Sequence, residues 1–419
     1  MRWKGISATA GSLPSEEGRR RFRKGLSRNS CNGPDKAKSM NFDFSEKEMA
    51  LAAKVKGLFG PDSQDFLVRG ESRDPQETRD SLLHWMKLLA QTGYLDLGLL
   101  DGTNSVPLVS IRETLAALAP SLFLSVEVGA RLFGRLVAVY GTSGQKAALL
   151  PAIQEGRLIG AMGLSESGMN IESPLQTLAT PKGSDFLVSG SKGHVVNAPV
   201  ADWIAIAGKT EDRLAFFLLR AGSEGLVLGP RQSTAGYDGV AIAPLSLQDC
   251  SVSSGMCLGP FEDDEPLRTV RSWEDEILAA AGLGLMRRAL DCASEYAREH
   301  QSGGRPIIAY QEIAFKLAEM LTLLQTAQLL AYRAAWMAET ADPEAELLLH
   351  CAKVFCAESA ERVASASMQI LGQQGYRRGH PAEEGFRNAK YLQIAGTSTE
   401  ISRVKIGDGV LGRSGYAGD

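Results

Sequence analysis

The chain has 419 residues, 44% of them hydrophobic and 22% charged, with a formal net charge of −4. That is length for two or three packed domains and the composition of an ordinary globular protein. The acidic balance argues against nucleic acid as the partner, and the longest apolar run, Ile277 to Met286, is too short to span a bilayer.

Residues 1–40 stand apart, with ten Lys/Arg against three Asp/Glu. The RRRFRK run is followed by no apolar stretch, which speaks against a secretory signal. A disordered extension, or a start at Met40, is the plainest reading; a transit peptide or a basic arm is the alternative. From 41 to 157 the pattern is helical: SEKEMALAAKVKGLF and ETRDSLLHWMKLLAQTG carry apolar residues at i, i+3, i+4 and i+7 and run into glycine. From 158 to 265 short β-rich runs (DFLVSG, WIAIAG, AFFLLRA, VAIAPLSL) separated by Gly, Asp, Pro and Ser predict an antiparallel sheet domain. From 266 to 419 the chain is helical again, with long helices expected over 274–300, 309–340 and 343–371, hence a bundle of the four-helix type. ILAAAGLGLM is apolar on every side and predicts the buried centre of that bundle.

The six cysteines (31, 250, 257, 292, 351 and 356) show no CxxC and read as reduced thiols of a cytoplasmic protein. No metal site emerges; Glu346 and His350, one turn apart, read as a solvated face. The acidic run Trp273-Glu274-Asp275-Glu276 sits where a helix is expected to begin, and acids there offset the helix dipole. In QIAGTSTEISR (393–403), the Thr/Ser cluster followed by Glu400 has the pattern of a helix cap.

Three stretches, AMGLSESGMNIES (161–173), GSKGHVVNAPVADW (190–203) and ASMQILGQQGYRRGHPAEEGFRNAKYLQIAGTSTEISR (366–403), together with the α–β–α order, resemble the acyl-CoA dehydrogenase family. The resemblance implies FAD held between the sheet domain and the bundle, usually in a homodimer or homotetramer. It also implies α,β-dehydrogenation of an acyl thioester, with electrons leaving through an acceptor protein. In the family a glutamate usually precedes Gly-Thr-Ser; here Ala395 or Gly396 holds that place, and neither accepts a proton. A subgroup resembling the isovaleryl and long-chain types carries its base on the first long bundle helix, and the matching position is Glu274. Asp275 and Glu276 project about 100° and 200° further round that helix.

The other matched positions are less regular. Leu164 and Ser165 match contacts to the flavin pyrimidine, and Gln311 and Gln369 match further cofactor contacts. His194 replaces the Trp that covers the ring, and Val196 the Thr that bonds N5. His300 replaces an Arg that meets the phosphates from a neighbouring subunit, although Arg305 lies close by, and Gln373 replaces a Gly. Ser398 and Glu400 are expected near the cofactor, with Ile171 and Gly396 on the substrate side. Asp275 replaces an Arg that anchors the CoA arm; an acid there would repel phosphate and suggests a carrier protein in place of free CoA. Arg387 matches a structural Arg. These departures leave two alternatives: oxidation or double-bond isomerisation on the same scaffold, or a flavin-poor subunit that binds acyl chains without catalysis.

Overall fold

The computed structural model describes residues 45–60, 74–99, 105–169 and 171–412, which belong to one compact unit. The expectations for residues 1–40, Cys31 included, lie outside them. Helix α1 (Glu46–Gly57) starts from a capping box between Ser45 and Glu48, and α2 (Pro75–Thr92) starts at Asp74 and ends on the left-handed Gly93. Helices α3 (Ser105–Leu118), α4 (Pro120–Val126), α5 (Phe133–Tyr140) and α6 (Ser143–Gln154) complete the N-terminal region. Between α4 and α5, residues Glu127–Leu132 form a π-turn. It carries the fully buried Glu127, which accepts hydrogen bonds from Tyr94 Oη (2.7 Å), Arg112 Nε (2.7 Å) and Arg131 Nε (3.3 Å). Ion pairing of this kind is what allows a carboxylate to sit in a core.

The middle region is a sheet of eight strands: β1 (Gly160–Gly163), β2 (Leu178–Lys182), β3 (Asp185–Val196), β4 (Trp203–Thr210), β5 (Arg213–Arg220), β6 (Leu226–Leu228), β7 (Ile242–Val252) and β8 (Cys257–Leu258). Their order is β6-β7-β3-β2-β4-β5-β8, with β1 paired to β4. The sheet is mixed and not purely antiparallel: β1 runs parallel to β4, with Gly160 opposite Trp203. Residues 164–202, which include the antiparallel β2–β3 pair, separate the two strands in the chain, so no tight turn forces them to be antiparallel. Two irregularities interrupt the β3–β7 register, one of them between Lys192 and Val195. Such a bulge re-aims the side chain it displaces, here that of His194.

Helices α7 (Glu265–Glu299), α8 (Gln311–Glu339), α9 (Ala345–Leu371), α10 (Pro381–Ile394) and α11 (Thr399–Leu411) make the bundle; a small β9–β10 hairpin (Gln301–Ser302 and Arg305–Pro306) joins α7 to α8. α7 is its buried centre. Ile277 through Met286 are all buried, and two glycines in the run set the spacing. A Cβ on Gly282 would lie 3.0 Å from the Cys356 carbonyl of α9, and one on Gly284 only 2.4 Å from Ala116 of α3. Helix α8 differs. By length and composition it is long and apolar enough to cross a membrane, against the expectation from run length, and it leaves Phe315, Leu321 and Leu329 exposed.

The start of α7 corrects the reading of the acidic run. The helix begins at Glu265, so Glu274 lies about two and a half turns inside it. The helix dipole therefore no longer accounts for the three acids. His350 is also not on a solvated face: it is 4% exposed, with Nε2 3.7 Å from Glu346.

Candidate active site

The three consecutive acids of α7 point to three different neighbours, as a 100° step per residue requires. Glu276 turns to the N-terminal helices, 3.3 Å from Arg135 and 3.8 Å from Arg112. Asp275, 1% exposed, turns to α9 and the loop before α11, where Oδ1 accepts a hydrogen bond from Thr397 N (3.0 Å) and lies 3.6 Å from Lys353 Nζ. This corrects the expectation that Asp275 faces the substrate arm and repels phosphate. Glu274 points between them, is only partly exposed, and accepts no hydrogen bond from a described residue.

That environment acts on its proton. Burial, then the adjacent charge of Asp275, push the Glu274 carboxyl up to about 7, against the opposing charges of Lys353 and Arg271. Tyr391 of α10 faces the same space; burial and then the Glu274 charge hold its phenol well above the usual range. A carboxyl that titrates near neutrality and is tied up by no hydrogen bond from a described residue suits proton transfer.

Gly396 closes the pocket. Its φ is +61°, and a Cβ there would lie 2.6 Å from Asp275 Oδ1, 2.8 Å from Leu278 Cδ1 and 3.6 Å from Glu274 Cγ. Only glycine fits a left-handed backbone pressed against the helix that carries Glu274. Gly396→Ala is accordingly expected to lower stability by ~2 kcal/mol or more, read by denaturant unfolding.

The sheet supplies the facing wall. Lys192, fully buried, donates to Glu166 Oε1 (2.9 Å) and to the Leu164 carbonyl (3.4 Å), and Glu166 also accepts from Thr177 N and Oγ1 (2.8 and 2.6 Å). This clamp orders the loop that holds Leu164 and Ser165, and Gly193 N donates to the Ser165 carbonyl beside it (3.1 Å). His194, thrown out at the bulge, is exposed; its Nδ1 lies 2.9 Å from Gln232 Oε1 and its ring 5.9 Å from that of Tyr391. Tyr391 therefore joins His194 on the sheet to Glu274 on α7.

The predicted cofactor residues separate into two groups. Leu164, Ser165, His194 and Val196 share the sheet wall, with Leu164 and Val196 buried and Ser165 exposed. Ser165 makes no side-chain hydrogen bond to a described residue. A planar aromatic cofactor fits this wall: His194 offers an exposed ring, Ser165 an unused hydroxyl, and Leu164 and Val196 an apolar floor. Val196 cannot supply a hydrogen bond. His300, Gln311 and Gln369 lie elsewhere. His300 is about 39 Å along α7 from Glu274, and Gln369 about 24 Å along α9 from Lys353. His300 stacks on Tyr296, Gln311 opens α8, and Gln369 lines a surface groove of about 630 Å³ with Lys316, Arg362 and Phe386.

Ser398 is the N-cap of α11, its hydroxyl accepting from Ile401 N (3.4 Å). Glu400 lies at the second helical position and takes a hydrogen bond from Thr399 Oγ1, so the cap is Ser398 alone. Ile171 is half-buried on the loop whose next residue, Glu172, pairs with Lys405 (3.3 Å). Arg387 ties α10 to the sheet region through Asp238 Oδ2 (2.8 Å) and the Ala235 carbonyl (2.7 Å). Sequence reasoning missed Tyr391, Arg271 and Lys353. For Lys353 a signal existed: it occupies the apolar stripe of Leu349, Cys356 and Ala360 on α9.

A helical region, a mixed sheet and a helix bundle meeting at one such pocket form the architecture of the flavin-dependent dehydrogenases. The family model for the acyl-CoA dehydrogenase C-terminal domain matches residues 276–411. The human mitochondrial short-chain specific acyl-CoA dehydrogenase is 31% identical over 282 residues, which is 65% of this chain and 68% of that protein. Among solved structures, butyryl-CoA dehydrogenase from Megasphaera elsdenii superposes with a TM-score of 0.80 at 23% identity, covering 89% of this chain and all of that one. The prolyl acyl carrier protein oxidase AnaB gives 0.78 at 23% identity, covering 88% and 100%. The chain belongs to the acyl-CoA dehydrogenase family and is an oxidoreductase.

Proposed function

We propose that the protein catalyses FAD-dependent α,β-dehydrogenation of an acyl thioester, with Glu274 as the base that takes the α-proton. The observation that carries this reading is the place of the Glu274 carboxyl: it lies beside Gly396, faces Tyr391 and takes no hydrogen bond from a described residue, and burial there pushes it up to about 7. When bound, FAD supplies the hydride acceptor. Leu164, Ser165, His194 and Val196 would hold its ring beside that carboxylate. Above about pH 7 Glu274 is an ionised carboxylate, and its burial beside Gly396 limits its solvation. Partial desolvation makes it the stronger base toward a weakly acidic C–H beside a thioester carbonyl.

The acyl carrier is a thioester of CoA or of a carrier protein. With Asp275 buried against Lys353, repulsion of the CoA arm no longer argues for the carrier protein. A homo-oligomer is supported by α8, whose Phe315, Leu321 and Leu329 stand exposed, and by the distance between the two cofactor groups. The reduced enzyme passes its electrons to an acceptor protein. Localisation in the cytoplasm rests on the cysteine usage, and the five described cysteines are all free thiols.

The test is the visible spectrum of the purified protein, followed by anaerobic addition of acyl-CoA and acyl-carrier thioesters. A yellow protein bleached by one of these classes is the expected result. A colourless protein that FAD cannot restore would leave the acyl-binding subunit as the reading, and a stable flavin that no thioester reduces would point to other chemistry on this scaffold.

A further inference from the structure

The loop that closes over Glu274 is held by a charge pair with no other visible task. Lys353 Nζ donates to the carbonyls of Ala395 (2.9 Å) and Thr397 (2.5 Å), the two residues that flank Gly396. Asp275 Oδ1 accepts from Thr397 N (3.0 Å), so the loop backbone is bonded from both sides. Both side chains are 1% exposed or less, and 3.6 Å separates Lys353 Nζ from Asp275 Oδ1. Asp275 Oδ2 is buried and has no hydrogen-bond partner among the described residues. A fold that needed only a loop anchor could use neutral groups, and burying two charges for it is expensive.

We infer that Asp275 and Lys353 are positioning residues for Glu274: they clamp residues 395–397 so that Gly396 closes over the base, and they balance the charge around it. The inference rests on Glu274 being the base. The charged and titratable groups facing Glu274 are Asp275 and Arg271 from α7, Lys353 from α9 and Tyr391 from α10. Of these, Asp275 acts to keep the proton on Glu274, and Lys353 and Arg271 act to remove it. Because the pair adjoins the base from two elements, each member acts on it with opposite sign while both hold the same loop. A purely structural anchor would lack that opposition.

The experiment compares Asp275→Asn, Lys353→Gln, the double variant and Glu274→Gln as FAD-loaded proteins. Anaerobic bleaching by a reactive thioester is followed from pH 5 to 9. Both single variants are expected to lose tenfold or more of the maximal rate, because each frees one side of the loop. The acid limb should move to lower pH in Asp275→Asn and to higher pH in Lys353→Gln, with the double variant between them. The same shifts are expected without turnover, in the pH dependence of melting of each variant against its Glu274→Gln counterpart. Limbs that stay in place, or that move the same way in both single variants, would overturn the inference. The double variant leaves no lone buried charge, so it covers the case in which the single variants fail to fold. If it keeps the wild-type rate, or cannot fold either, the pair serves the fold and not the base. Bleaching of Glu274→Gln at the wild-type rate would instead sink the base assignment itself, a separate outcome.

Discussion

Glu274→Gln should retain its flavin and lose thioester-driven bleaching by about 10³-fold, the scale expected when a general base is removed. Glutamine keeps the shape of the side chain and its contact with Gly396, so the loss isolates proton transfer. In the unmodified protein the bleaching rate should rise with pH through about 7, because burial and Asp275 keep the carboxyl protonated below that point. Stopped-flow reduction at pH 6 and pH 8 reads this directly. Bleaching of the variant at the wild-type rate would place the base elsewhere. Asp275 and Glu276 are poor substitutes, since each is already held by cations on other elements.

The same substitution should make the protein more stable in alkali and leave it unchanged in acid. An unfolded glutamate titrates near 4.3, whereas Glu274 in the fold titrates near 7. Between those values the folded state keeps a proton that the unfolded state has released, so this group's contribution to stability falls as pH rises from about 4.3 to 7. Above 7 the penalty is complete and on the order of 3 kcal/mol. Glutamine cannot ionise and escapes it. Denaturant unfolding of the two proteins should coincide near pH 4.5 and diverge by pH 8, with Glu274→Gln the more stable. Equal stability at both pH values would show that the carboxylate is comfortably solvated and poorly suited to the role proposed. The sign is opposite to that of Glu166, where burial is outweighed by the bonds from Thr177, Gln176 and Lys192 and the carboxyl is held below its ordinary value. A base that costs stability is the expected form of a trade between activity and fold.

The large pieces of the fold are legible in the residue pattern. Hydrophobic period separates helix from strand because burial selects one face of each. For this reason α2, the long bundle helices and the apolar centre of α7 show in the sequence. The ordered motifs named the family, and the absence of a carboxylate at 395–396 drew attention to Glu274. Local pattern failed where the signal depends on distant contacts. The first two and a half turns of α7 precede the helix expected over 274–300, although Pro266 fits the first turn of a helix. The parallel pairing of β1 with β4 depends on residues about forty positions apart, and the bulge that exposes His194 depends on the register of β7 against β3.

What the acids of α7 do depends on contacts that form when the chain folds. Their 100° spacing was readable, but the identity of each neighbour was not. Asp275 could be read as a surface repellent until Lys353, seventy-eight positions away, was seen to bury it. Gly396 likewise looked like a vacancy in a motif. In the fold it is the one residue that lets the loop lie against Glu274, because no Cβ fits between Asp275 Oδ1 and Leu278. A proton affinity is a property of the charges and solvent around a group. Those are assembled from α7, α9 and α10 together, so the sequence names the carboxylate and the fold sets the pH at which it gives up its proton.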